Sequence, residues 1–167
     1  GFEPAIDLEQ MEVVRTILGA LPADNPLSKA SGKIFLYEGH LKHLFSWLKR
    51  ENHDWKVIRQ AAEDYMELLP NNLDFIYQRN SKYGQKGEPN KNKIAEETDR
   101  MEKLIAGLKL FESYNKALNK RKLYDYDDMI QWVLAAFSRG ENLLRRYQEQ
   151  YLYILADEFQ DTNGAQY

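Results

Sequence analysis

One stretch of this chain, and one alone, reads as a buried β-strand. It is Tyr151-Leu-Tyr-Ile-Leu-Ala156, an apolar, β-favouring run that stops at two adjacent carboxylates, Asp157 and Glu158. Everything before it carries the three-to-four spacing of amphipathic helices. A lone strand has nothing to pair with, and a stable sheet needs three or more strands or a helix to pack on. The chain is therefore expected to be mainly α. Residues 1–150 would form a multi-helix unit, and residues 151–167 a segment that becomes a β-strand and turn in a sheet encoded elsewhere.

The helices can be placed from their stripes and caps. Asp7, with Gln10 three positions on as a capping box, opens a helix striped by Met11, Val14, Ile17 and Leu18 and closed at Gly19. Residues 20–33 hold Pro22, Pro26 and several turn formers and read as a loop. A second helix fits 38–51, with Leu41, Leu44, Phe45 and Leu48 on one face. Asp54 caps a third, which Pro70-Asn71-Asn72 stops. A short helix is expected through Leu73–Arg79, and then a polar, glycine-containing stretch, 80–92, that reads as a mobile surface loop. A long helix follows from about Lys93 to Asn119. Asp125, with Asp128 at the third position, caps the next, Gly140 ends it, and a short helix covers 141–149.

Composition narrows the function classes. With 43% hydrophobic residues in 167, the chain suits one domain that buries a sizeable core. The absence of cysteine rules out disulfides and thiolate metal sites and suits a reducing, cytoplasmic setting. No apolar run approaches the length of a membrane span, and no secretory leader is visible, so no membrane partner is expected. The net charge of −3 gives no basic field over the whole surface, so any nucleic-acid contact must come from local patches.

The chemical content sits at the acid pair. Where a strand ends and the chain turns, two adjacent carboxylates can face one cleft. One can hold a magnesium ion, which prefers oxygen ligands and keeps several waters. The other can orient and deprotonate an attacking water. That is half of a phosphoryl-transfer site, the other half being a glycine-rich loop with a lysine. The bland reading is a solvated acidic turn.

The longer string Ile154-Leu-Ala-Asp157-Glu158-Phe-Gln160-Asp161-Thr-Asn163, with Gln166 after it, resembles motif II (Walker B) of the UvrD/Rep-type superfamily 1 DNA helicases. Tyr124-Asp125-Tyr126-Asp127-Asp128-Met129 resembles the aspartate-rich segment that precedes motif II in that family by about thirty residues. Ala156 stands where the family usually has a larger aliphatic residue. The resemblance implies that residues 1–150 are the helical insertion called subdomain 1B, within the first RecA-like domain of an ATP- and Mg2+-dependent helicase that acts 3′ to 5′ on single strands. It implies that Asp157 binds the nucleotide's magnesium and that Glu158 is the catalytic base. Gln160 and Asp161 would couple the nucleotide site to DNA. Single-stranded DNA and single/double-strand junctions are the implied partners.

One element of such a motor is missing from the sequence. No Gly-x-x-x-x-Gly-Lys-Ser/Thr occurs, and Gly32-Lys33, followed by Ile34, is not such a loop. The arginine-bearing motifs that follow motif II in that family are not found either. This chain alone is expected neither to bind ATP tightly nor to hydrolyse it.

Two other readings stay open: the helicase part of a RecB/AddA-type helicase–nuclease, and a protein-interaction module with silent carboxylates. Arg79, Lys82, Lys86, Lys91 and Lys93, with Tyr77 and Tyr83 among them, are either a nucleic-acid-binding loop or a solvated one. Two further basic clusters, at 116–122 and 139–146, read as solvated helix ends. His40, His43 and His53 read as surface residues, and Trp47, Trp55 and Trp132 as core packing. Asp125–Asp128 reads as a helix cap, since Ile130 stands where a calcium loop needs glycine.

Overall fold

The helical stripes build what the spacing predicts. A computed structural model describes residues 1–31 and 34–167; Gly32-Lys33 lie outside the described residues. Among these, six α-helices account for most of the chain, with two small two-stranded ladders. β1 (Glu3–Pro4) leads into α1 (Asp7–Gly19), followed by β2 (Ala30–Ser31) and β3 (Ile34–Phe35), which pair antiparallel. Next come α2 (Glu38–Arg50), α3 (Trp55–Leu68) and α4 (Lys91–Lys120). β4 (Leu123–Tyr124) pairs in parallel with β1 and runs into α5 (Tyr126–Arg139) and α6 (Glu141–Gln150). No described helix is long and apolar enough to cross a membrane.

α4 is the spine. Its 30 residues span about 45 Å at 1.5 Å per residue, and α1, α2 and α3 all pack on it, with α5 on α2 and α6 on α5. Val13, Val14 and Leu18 of α1, Leu41, Phe45 and Leu48 of α2, and Leu108, Tyr114 and Leu118 of α4 are all buried and form one core. The Phe45 ring lies 4.8 Å from that of Tyr114 and 5.8 Å from that of Phe111, centroid to centroid.

The caps show which local rules govern. Asp54 accepts the Lys56 N–H at 2.9 Å, as expected. Asn90 caps α4 through the Lys93 N–H at 3.2 Å. Asp125 and Asp128 form a reciprocal capping box at 2.9 and 3.0 Å. The start of α1 differs from the expected Asp7–Gln10 box. Ile6 is the N-cap, and the Glu9 carboxylate accepts its N–H at 2.9 Å. Gln10 instead donates to the Ala5 carbonyl at 3.2 Å. Either carboxamide or carboxylate at that register can reach back, and Glu9 is the one with the right spacing to Ile6.

One helix expectation is corrected. Leu73–Arg79 is not a helix: a single 3-10 turn at Leu73–Phe75, capped by Asn72, gives way to extended chain, and Ile76 bridges Pro89 across the loop. Tyr151–Ala156, expected to become a strand only in a sheet encoded elsewhere, forms none in this chain. It has no regular secondary structure and joins no ladder, with Leu155 98% exposed. Its backbone groups have no ladder to join, because none of the short strands of the described chain lies alongside it. The tryptophans also sit further out than core packing implies: Trp47 is 44% and Trp132 46% exposed, with Trp55 half-buried. The three histidines are exposed, as read.

Candidate functional site: the acidic turn and its anchor

Asp157 and Glu158 lie on a tight turn. Glu158 is in the left-handed region, φ 50° and ψ 42°, which is uncommon for a residue with a Cβ. Asp157 Oδ1 accepts the Glu158 N–H at 2.9 Å, which offsets part of that cost. Gln160 Nε2 donates to Glu158 Oε2. Phe159–Asp161 form a 3-10 turn closed by the Asp161 N–H on the Glu158 carbonyl at 2.8 Å. All four acidic-motif side chains, of Asp157, Glu158, Gln160 and Asp161, are exposed. Asp157 Oδ2 and Glu158 Oε1 make no hydrogen bond among the described residues, so each carboxylate keeps one oxygen open. No group of three or more His, Asp or Glu side chains that could hold a metal is found among the described residues. Two hard oxygen donors suit an ion that retains waters and takes its other ligands from phosphate, which is magnesium's habit.

The segment after the turn is anchored. Asn163 and Gln166 form a reciprocal capping box, each side chain accepting the other's backbone N–H at 3.2 Å, and the Tyr167 N–H reaches the Asn163 carbonyl at 3.2 Å. This turn is held to the end of α2. The Gly164 N–H donates to Glu51 Oε2 at 3.0 Å and the Ala165 N–H to the Arg50 carbonyl at 2.8 Å. Ala165 is buried there. Gly164 is required by proximity: a Cβ would stand 2.8 Å from the Glu51 carbonyl oxygen.

A buried ionic cluster adjoins this anchor on α2. Lys49, its side chain 3% exposed, places Nζ 2.6 Å from Asp125 Oδ2 and 2.7 Å from Asp128 Oδ1. Asp127 accepts the Ser46 hydroxyl at 2.6 Å, and Gln131 Nε2 donates to the Lys49 carbonyl at 2.6 Å. Asp125 and Asp128 thus do more than cap α5: they fasten α5 to α2. The capping motif revealed the aspartates but not their cation. Lys49 was legible only from position, one residue after Leu48 and four after Phe45, on the face that packs inward. Burial pushes the Asp128 carboxyl above its ordinary value, against the pull of Lys49.

Tyr114, also buried beside this cluster, has its phenol pushed well above the ordinary tyrosine value, first by burial and then by the charges of Asp125 and Asp128. The folded state therefore holds this proton more tightly than the unfolded chain. The associated stability is complete below about pH 10 and is lost as pH rises beyond it, by up to about 1.4 kcal/mol per pH unit. Urea midpoints measured between pH 8 and pH 11.5 are expected to fall less steeply for Tyr114→Phe than for the parent chain. Equal slopes would remove Tyr114 from the alkaline transition.

The basic residues Arg79, Lys82, Lys86, Lys91 and Lys93 gather on the loop before α4 and at its first turn, far along the chain from the acid pair, and all are exposed. None forms an ion pair among the described residues. The two other basic clusters are partly paired, Lys116 with Glu112, Arg121 with Glu12 and Arg145 with Glu141.

The model for the UvrD/REP helicase N-terminal domain matches residues 20–167, and the chain belongs to that family. It is similar to the ATP-dependent DNA helicase PcrA of Staphylococcus aureus (strain Mu50 / ATCC 700699), with 36% identity over 72 residues, 43% of this chain and 10% of that protein. It is also similar to the ATP-dependent DNA helicase PcrA of Bacillus subtilis (strain 168), with 41% identity over 58 residues, 35% of this chain and 8% of that protein. The matched region thus spans about a tenth of the length of these relatives. No solved structure matches the chain.

Proposed function

We propose that this chain is the 1B-like helical insertion plus motif II of an ATP-dependent DNA helicase that translocates 3′ to 5′ on single strands and serves in DNA repair. Residues 1–150 are the helical subdomain, and 151–167 the Walker B strand and turn of a RecA-like domain completed by other sequence. The observation that carries this reading is the family match running through the acidic motif to Tyr167. Two surfaces support the division. The run Tyr151–Leu155 is exposed and apolar, as a strand without its sheet must be. Beside the β1–β4 pair, Phe2, Tyr124, Met129, Trp132 and Val133 line an open apolar depression of the kind that a neighbouring domain covers.

In the whole enzyme Asp157 would hold Mg2+, which when bound neutralises charge on the nucleotide phosphates. Glu158 would orient the attacking water and take its proton, its second oxygen already fixed by Gln160. Gln160 and Asp161, on the same 3-10 turn, would carry the state of the nucleotide site toward DNA. The loop cations Arg79, Lys82, Lys86, Lys91 and Lys93 would contact single-stranded DNA or its junction with duplex. The sequence lacks a phosphate loop, so the chain alone is inactive.

The test compares two samples. The purified chain is expected to show no ATP hydrolysis above buffer. A longer protein that carries this segment with a phosphate loop is expected to hydrolyse ATP in a DNA-stimulated manner and to lose roughly 100-fold or more of that rate on Glu158→Gln, with nucleotide binding retained. Hydrolysis by the chain alone, or an unchanged rate in the longer Glu158→Gln protein, overturns the reading.

A further inference from the structure

The loop between the Leu73 turn and α4 is built more firmly than its composition suggests. Ile76 bridges Pro89, and Ser81 bridges Gly84. The Tyr77 N–H donates to the Glu88 carbonyl at 2.9 Å, and the Gly87 N–H to the Tyr77 carbonyl at 2.9 Å. Gly84 lies against the Tyr77 ring so closely that a Cβ would stand 2.3 Å from Cε2, which fixes that ring's position. The result is a cleft of about 460 Å3 lined by Tyr77, Tyr83, Glu88, Pro89, Lys91 and Asn92.

Three features of the cleft select an occupant. Tyr83 is 70% exposed and no other ring stacks on it among the described residues, so aromatic surface is presented to solvent. Lys82 Nζ stands 4.8 Å from the Tyr83 ring centroid, and Lys82 and Lys91 have no carboxylate partner among the described residues. Glu88 lines the cleft itself, one of its oxygens accepting the Gln85 N–H at 2.8 Å. A phosphate beside Glu88 would be repelled by it and drawn instead toward Lys91 on the cleft wall and Lys82 outside it, whereas a neutral flat ring meets no such penalty. A ligand with a planar neutral ring and a neighbouring negative charge satisfies all three.

We propose that this cleft takes one unpaired base of a single-stranded nucleic acid, stacked on Tyr83, with the adjoining phosphates on Lys82 and Lys91. The proposal rests on the assignment of this loop to nucleic acid made above and adds to it the base contact and the residues that make it. An acidic peptide would satisfy the lysines but leave the tyrosine face unfilled. Stacking is indifferent to base identity, so the site grips single strands of any sequence and cannot grip a paired base.

Binding of a fluorescein-labelled single-stranded 15-mer to the chain, followed by anisotropy at several salt concentrations, separates the two layers. Tyr83→Ala is expected to weaken binding roughly 5- to 100-fold with an unchanged salt slope. Lys82→Gln with Lys91→Gln is expected to weaken it and to lower the slope of log K against log salt by about 1.4, two phosphate contacts at about 0.7 each. An abasic 15-mer is expected to bind the parent chain and Tyr83→Ala equally. If the lysine changes act as stated while Tyr83→Ala and the abasic strand change nothing, the base contact is overturned and the phosphate reading survives. If neither set changes binding, or if an acidic peptide displaces the strand from the parent and from Tyr83→Ala alike, both fall. Tyr83 is mostly exposed, so its substitution leaves the fold intact, and circular dichroism verifies this.

Discussion

Lys49→Ala is expected to destabilise the chain by about 3–5 kcal/mol, the cost of leaving buried charge without its partner. The Lys49 ammonium is the one cation within reach of both Asp125 and Asp128 among the described residues. Without it, two carboxylates face each other in a site already poor in water. Protonation of Asp128, whose carboxyl burial already holds above its ordinary value, relieves the strain, so the deficit between variant and parent is expected to narrow as pH falls from 7 toward 4. Asp125→Asn and Asp128→Asn, added to Lys49→Met, should recover more than half of the loss, because asparagine keeps the capping acceptor while the charges vanish together. Urea denaturation at pH 7 and pH 4.5 measures all three proteins. A Lys49→Ala chain within about 1 kcal/mol of the parent at pH 7 would show that the cluster contributes little.

Phe45→Ala is expected to cost about 3–5 kcal/mol through lost apolar contact and the void left behind. Phe45 is fully buried where α2 crosses the spine, and its ring touches those of Phe111 and Tyr114. The surrounding helices cannot close the gap without dragging the Lys49 cluster, which sits one turn further along α2. Phe45→Leu, which keeps most of the volume, should cost less than half as much. Against a total stability of about 5–15 kcal/mol for a domain, the alanine change should bring the chain close to unfolding at room temperature. A thermal melt shifted by only a degree or two would contradict the central place given to this ring.

Most helix boundaries could be read from the sequence because single residues set them. Asp54, Asp125 and Gly140 set these boundaries through local geometry. The start of α1 was misread because Glu9 and Gln10 compete for the same reach-back role, and composition does not rank them. Leu73–Arg79 looked helical from Leu73, Ile76 and Tyr77, yet the Ile76–Pro89 bridge outweighs that weak propensity. The acid pair was plain in sequence, but its strand was not formed, since pairing is a property of the sheet and not of the strand. Lys49 was hidden because a buried lysine announces itself only through partners that are distant in the chain, here on α5.

The hold of Glu51 on Gly164 has a mechanical consequence. The acidic turn is moored at its far end and loose at its near end, where Leu152–Leu155 lies exposed with no backbone partner among the described residues. A rotation of α2 therefore reaches Asp157 and Glu158 from behind, through Asn163, like a rudder turned by its post. Glycine at 164 makes the mooring short enough to be stiff, and any side chain there would lift the turn off the helix and let the rudder swing.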